Sequence, residues 1–239
     1  MVNTSSGIVG WFLEKKHNIT KHFNLEDANE ALLEHNASLL AQQPESFYQL
    51  QSDVFRVNDT IKKQHFRYIP ATVINSTSND SRNFYTLDKG RAQGVVPGMG
   101  VIAAEGVIGT VIDASDHFAI VMTALSNDSK INVKHEANNE YWILSWTPYE
   151  PKFGKIHNVK RDISFEIGDH VVTRGGDLRF PTGIPVGTID EVISEDGSQT
   201  ISLNIELAVN YNSVYHVYVV ENLMKDEQEK LEQNALNGE

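Results

Sequence analysis

The chain has 239 residues, 40% of them hydrophobic and 22% charged, the composition of a soluble globular protein of one or two domains rather than of a disordered one. Its 20 basic and 32 acidic residues give a formal net charge of -12, and with no local run of Lys and Arg to offset it a nucleic-acid backbone would be repelled. There is no cysteine, which excludes a disulfide framework, a thiolate nucleophile and Cys-ligated zinc.

The longest apolar run near the start, Gly7 to Leu13, is far shorter than the roughly 20 residues a membrane-spanning helix needs. No basic stretch and cleavage site precede it. Ile8, Trp11, Phe12, Ile19 and Phe23 form a helical apolar face, and Ser5 or Ser6 is placed to cap its start. Leu25, Leu32 and Leu39 follow at seven-residue spacing, with Asn29 and Asn36 between them at the complementary heptad position. If the leucines are d, the asparagines are a, where a buried Asn finds its partner in the same residue of an in-register sister helix. The spacing favours a parallel two-stranded coiled coil, and hence a homodimer, over an amphipathic helix packed on its own domain.

Pro44 should break or kink this helix. Beyond it Phe47, Leu50, Val54, Val57 and Ile61 recur at three- and four-residue steps, which predicts a second helix to about Lys63. From Pro70 to Val220 the pattern changes to strand-like runs punctuated by Gly, Pro, Asn and Asp. Ile201, Leu203, Ile205 and Leu207 alternate with polar residues, as in a strand with one wet face, whereas Val107 to Ile112 is apolar on both faces.

The β region repeats. Gly98-Met-Gly-Val-Ile is followed by Gly106-Val-Ile-Gly109-Thr-Val-Ile-Asp, and Gly168-Asp169-His-Val-Val by Gly183-Ile-Pro-Val-Gly187-Thr-Ile-Asp after a longer connection that carries Arg174 and Phe180-Pro181. Two small barrels on one plan explain the repeat. The expected fold is mainly β with an N-terminal α-helical coiled coil. It divides into a helical dimerisation segment over 1–65, a first six-stranded-type barrel over 66–136, a second over 137–221, and a polar tail over 222–239 that reads as a frayed helix or as disordered chain.

Chemistry is sparse. The nine histidines are spread along the chain with no HExxH or ligand pair, so no metal site is expected. No Gly-x-Ser-x-Gly or Gly-Asp-Ser-Gly frames a serine, so a two-barrel hydrolase would lack its nucleophile. Gly94-Val-Val-Pro-Gly-Met-Gly lacks the Lys-Ser/Thr ending of a phosphate loop and reads as a turn. No catalytic residue and no cofactor are expected. Large aromatics are mostly core. The candidates for contact with a partner are Phe84, Tyr85 and Met99 in the first barrel and Trp142, Trp146, Tyr149 and Phe180 in the second.

The run Pro70-Ala-Thr-Val-Ile-Asn, then Asn83-Phe-Tyr-Thr-Leu-Asp-Lys-Gly90, Gly94-Val, Gly106-Val-Ile-Gly109 and Ser126-Asn-Asp, resembles the extracytoplasmic part of the MreC rod-shape-determining family. Ser145-Trp146, Gly168-Asp169-His-Val-Val-Thr173, Phe180-Pro181, Gly183-Ile-Pro-Val-Gly187 and the closing Val217-Tyr-Val-Val continue the resemblance in the family's order. It implies a non-enzymatic scaffold of the cell-elongation complex on the extracytoplasmic face of the bacterial inner membrane, organising or activating peptidoglycan synthases. It further implies a coiled-coil homodimer able to assemble further, with a class B penicillin-binding protein transpeptidase, MreD, RodZ and, directly or indirectly, MreB as partners. A different extracytoplasmic coiled-coil and β-barrel adaptor, such as a secretion-system connector, is the alternative. Two departures stand out. The family's N-terminal transmembrane anchor has no counterpart, so the chain is expected to be the soluble part that follows it. The family also commonly has Ser where Arg174 stands and a Gly in the stretch occupied by Glu140-Tyr-Trp-Ile, which should alter the local surface.

Overall fold

A computed structural model describes residues 27–43, 46–49, 62–77, 81–146, 148, 150–194 and 198–237. The chain enters it on a helix, α1, over residues 27–41. Ser46, fully buried, secures the helix end: its hydroxyl donates to the Leu40 carbonyl at 2.7 Å and lies 3.2 Å from the Tyr68 hydroxyl. The segment read as a second helix starts and ends differently. Strands β1 (Phe47–Gln49) and β2 (Lys62–Gln64) pair antiparallel, Phe47 opposite Gln64. The three- and four-residue spacing is overridden at both ends by this pairing, which returns the chain to Ser46, whose carbonyl accepts from the His65 N–H at 2.6 Å. Residues 50–61 lie outside the described residues, as do Leu25 and the predicted helical face before it.

Two closed barrels of six strands follow. The first is built from β3 (Phe66–Ser76), β4 (Phe84–Leu87), β5 (Gly100–Ile102), β6 (Val107–Ala114) and β7 (Ala119–Thr123), and is closed by β14 (His216–Asn222). The second consists of β8 (Ile131–His135), β9 (Tyr141–Trp146), β10 (Phe153–Lys160), β11 (His170–Thr173), β12 (Pro185–Ser194) and β13 (Thr200–Leu207).

Around the first barrel the strand order is β14-β3-β4-β7-β6-β5, and around the second β10-β13-β12-β11-β8-β9. The two cycles coincide when β14 is laid on β8, β3 on β9, β4 on β10, and β5, β6 and β7 on β11, β12 and β13. The first barrel is therefore the second with its leading strand moved to the end of the chain. This corrects the expected division at residues 136 and 137. β8 opens the second barrel rather than ending the first, and β14 pairs with β3 from His216↔Thr72 to Asn222↔Phe66 and with β5. The second barrel is thus inserted into the first. The apolar run Val217–Val220 marks an interior strand but carries no information on which sheet receives it.

The repeat extends to backbone irregularities. Val101 pairs with Gly109 and Val171 with Gly187, and the ladders then shift register at Val111/Asp113 in one barrel and Ile189/Glu191 in the other. Both glycines let the neighbouring strand approach: a Cβ at Gly109 would lie 2.0 Å from the Met122 carbonyl oxygen and one at Gly187 2.2 Å from that of Glu206. The bulges add the curvature that closes so few strands into a barrel. Ile201, Leu203 and Ile205 fill the second barrel as their alternation predicts. The doubly apolar β6 is covered on both faces at its start: Gly106, just before it, abuts the Pro185 carbonyl of the second barrel, and the Val107 carbonyl accepts from the Tyr211 hydroxyl at 2.8 Å, whereas Ile112 further along is exposed. Past β14 the polar tail forms a helix, α2 (Lys225–Asn237), with Leu231 and Leu236 exposed. No helix among the described residues is long and apolar enough to cross a membrane.

Candidate interaction surfaces

The first surface is α1, which has two apolar faces. Ala37 is buried and Leu33, Leu40 and Ala41 pack against the core, fixing one face of the helix to the first barrel. The heptad leucines turn toward solvent beside that face, Leu32 and Leu39 being 57% and 47% exposed; Asn29 and Asn36 are exposed too, with Asn36 at the border, beside Leu33 in the groove between helix and first barrel. A helix docked on its own domain would ordinarily place all its leucines inward. Here the heptad face adjoins the docked one, but its leucines are not part of it, so the two readings of the helix do not compete for the same leucines.

The predicted partner contacts fall into three groups. Tyr85, Trp146 and Phe180 are 2%, 7% and 1% exposed, which corrects their reading as contact residues. Tyr85 and Trp146 have their polar atoms satisfied inside: the Tyr85 hydroxyl donates to the Tyr211 carbonyl, and Trp146 Nε1 to the Glu150 carbonyl at 2.9 Å. Phe84, Met99 and Trp142 are half-buried, the last two packed against the core. Tyr149 lies outside the described residues. Large apolar side chains that the barrels do expose were not singled out from sequence, among them Ile74, Ile112 and Phe118 on the first barrel and Tyr141, Ile143 and Val192 on the second. Phe118 stands in the turn before β7, and alternation places the others on the wet face of a strand, where a single apolar residue carries no signal of its own.

Between the barrels the surfaces are used up. A Cβ at Gly100 would meet the Arg179 carbonyl oxygen at 2.4 Å and the Phe180 ring at 2.6 Å, so the β11–β12 connection lies directly on β5. The link from β13 to β14 is pinned by Tyr211, which donates to Val107 and accepts from Tyr85, and burial pushes both phenols above their ordinary pKa. Asn222 Nδ2 donates across the joint to the Leu178 carbonyl at 3.3 Å. Nothing in the sequence marks Tyr211 for this role; it stands among polar turn residues.

The Gly168-Asp169 pair also has an internal task. Asp169 Oδ2 accepts from the Glu166 N–H at 2.6 Å and lies 2.9 Å from His135 Nε2. Because the Asn138 N–H donates to His135 Nδ1 at 3.2 Å, Nε2 carries the ring proton and donates it to the carboxylate. The Glu166 N–H first, and the His135 hydrogen bond second, hold the Asp169 carboxyl below the usual carboxylate range. Both nitrogens of buried His135 are thus occupied, which leaves it no lone pair with which to activate a nucleophile. Thr173 is saturated in the same way, its hydroxyl donating to the Pro181 carbonyl at 2.6 Å and accepting from the Ile184 N–H at 2.9 Å. Among the described residues no three His, Cys, Asp or Glu side chains gather as a metal-holding group.

The paired barrels have counterparts. Residues 73–221, more than half of the chain, match the family model described as rod shape-determining protein MreC, barrel core. The cell shape-determining protein MreC of Listeria monocytogenes is 25% identical over 218 residues, covering 90% of this chain and 72% of that protein. Its Haemophilus influenzae namesake is 27% identical over 176 residues, covering 73% of this chain and 48% of that protein. Among solved structures, MreC of Listeria monocytogenes superposes with a TM-score of 0.61 at 24% identity over 92% of this chain and 96% of that one. MreC of Pseudomonas aeruginosa gives 0.60 at 25% identity over 64% and 98%. The MreC of a Helicobacter pylori complex with penicillin-binding protein PBP2 gives 0.54 at 18% identity over 66% and 99%. The inserted second barrel lies within the span of the family's barrel core, and by that match the chain belongs to the MreC family of rod shape-determining proteins.

Proposed function

We propose that this chain is a non-enzymatic scaffold of the bacterial elongation complex, working on the extracytoplasmic face of the inner membrane and tethered there in its full-length form by a single span. Two copies pair through Leu25, Asn29, Leu32, Asn36 and Leu39, the last four of them on α1, and the pair presents two rigidly joined barrels to a class B penicillin-binding protein. MreD, RodZ and MreB complete the assembly. The mechanism is binding and population shift in the synthase. The observation that carries the reading is the pair of exposed heptad leucines, Leu32 and Leu39, on a helix docked to the first barrel through Leu33, Ala37, Leu40 and Ala41. Pairing through those leucines fixes the orientation of both barrel pairs, because the docked helix cannot turn independently of them. The Helicobacter pylori MreC held in complex with PBP2 supports the partner class, and the cell-shape role of the relatives supports the setting.

Sedimentation equilibrium tests the pairing. A dimer is expected at micromolar concentration, and Leu32→Glu should return it to monomer while leaving the barrels folded, because Leu32 does not face them. A strict monomer well above micromolar, or association unaffected by the charged substitution, overturns the coiled-coil reading. Co-purification of the full-length protein with a class B synthase from crosslinked cells tests the partner.

A further inference from the structure

The outward face of β8 and β9 gathers exposed apolar and cationic side chains. Tyr141 and Ile143, 57% and 54% exposed, project from one face of β9 two residues apart. Arg174 opens the β11–β12 connection and reaches over β8. Its backbone N–H donates to the Asn132 carbonyl at 3.0 Å, and Asn132 is paired with Ile143. The Arg174 guanidinium lies 3.8 Å from the centre of the Tyr141 ring.

Neither Arg174 nor Lys134, also on this face, has an ion-pair partner among the described residues; Lys134 Nζ donates to the neutral Asn139 side chain at 2.7 Å. Asp177, the carboxylate of the same connection, is already engaged by Arg179 at 2.8 Å and by Asn132 at 3.2 Å. In a chain with a net charge of -12, this cationic and apolar face is anomalous. It also adjoins an incomplete strand pairing. β10 contacts β9 only at Leu144–Trp146 and then bulges at His157 and Asn158, the latter with φ of 61°, so Tyr141–Ile143 has a partner strand on the β8 side alone.

We propose that this face binds an extended peptide segment of a partner protein, with apolar residues at alternate positions against Tyr141 and Ile143 and a carboxylate opposite Arg174. Alternate side chains of a strand stand about 7 Å apart, a spacing that β9 and an added strand share. Stacking on Tyr141 restrains the guanidinium while leaving N–H donors free for a carboxylate, which lowers the entropy lost on binding. An anionic lipid surface is the poorer match, since it would repel the acidic remainder of the chain. The inference goes beyond the scaffold reading and is independent of the dimer, because this face lies on the second barrel and not on α1.

The test is selection of a phage-displayed random heptapeptide library on the immobilised full chain, followed by anisotropy of a labelled selected peptide. Selected peptides should alternate apolar residues and carry Asp or Glu. Replacing that carboxylate by its amide should weaken binding to the unaltered protein about tenfold, and Arg174→Ser should do the same without adding to the amide's effect. Arg174→Lys should fall between, Tyr141→Ser should weaken binding, and Leu32→Glu should change nothing. No enrichment, enrichment in basic peptides, indifference to both the amide and Arg174→Ser, or Arg174-dependent binding to phosphatidylglycerol vesicles would each overturn the proposal.

Discussion

Phe180 of the second barrel lies against Gly100 of the first, so closely that a single added carbon at Gly100 would stand 2.6 Å from the ring. The ring is 1% exposed and is the largest fully buried side chain of the molecule's described part. The barrels are therefore joined by core packing, and the joint should behave as an interior.

Truncation at this joint should be costly. Phe180→Ala is expected to lower the unfolding free energy by about 3–5 kcal/mol, the range for removing a buried aromatic ring. Gly100→Ala should also destabilise, because the Arg179 carbonyl cannot move aside as a flexible side chain would. Urea titration followed by tryptophan fluorescence measures both, and wild-type midpoints for the two variants would show the joint to be loose.

The equivalence of Gly109 and Gly187 predicts matched costs. Alanine at either would place Cβ near 2.0–2.2 Å from a neighbouring backbone carbonyl, forcing apart a ladder that closes a barrel, at about 1–3 kcal/mol or more. Gly176 is the control: nothing lies within 4 Å of its virtual Cβ, and its φ is 81°. Alanine there should cost only the left-handed backbone penalty, about 1–2 kcal/mol. Thermal melts of the three variants would rank them. If Gly176→Ala proved the most damaging, close strand approach could not be what the paired glycines serve.

Acidification should weaken the fold through two groups with depressed pKa values. Burial lowers His65 from its ordinary value of 6.5, opposed by a hydrogen bond to Asn222. The unfolded chain therefore binds its proton first, so stability is at its full level above about pH 6.5 and falls as the pH drops toward the folded-state pKa. Asp169, also lowered, contributes stability that is present above its unfolded value of 3.8 and is lost as the pH falls further. His65→Gln should flatten the change in urea midpoint between pH 7.5 and 5.5 relative to wild type. Asp169→Asn should flatten it between pH 5 and 3, while loosening the Glu166 to Asp169 turn at every pH.

Local spacing carried much of this. The alternation of Ile201, Leu203 and Ile205 gave β13, and the repeated glycine motifs gave two barrels of one design, because side-chain period and backbone clearance are properties of a few consecutive residues. The heptad leucines were legible for the same reason, and Leu32 and Leu39 are exposed in the folded chain. Phe47 to Lys63 reads as a helix by the same rule, yet its two ends pair as strands, since a three- and four-residue rhythm in a short segment yields to a favourable partner elsewhere in the chain.

What the sequence by itself determined is thus the inventory: strands, bulge sites, turn glycines and a heptad. Tertiary structure alone decided the assignments. Val217–Val220 closes the first barrel because β3 and β5 leave a gap that only a strand arriving from beyond the second barrel fills, a contact some 150 residues distant in the chain between Asn222 and Phe66. It decided equally that Tyr85, Trp146 and Phe180 are interior while Tyr141 and Arg174 meet outside, because the identity of an aromatic residue gives its buried area in prospect but not the surface that will cover it.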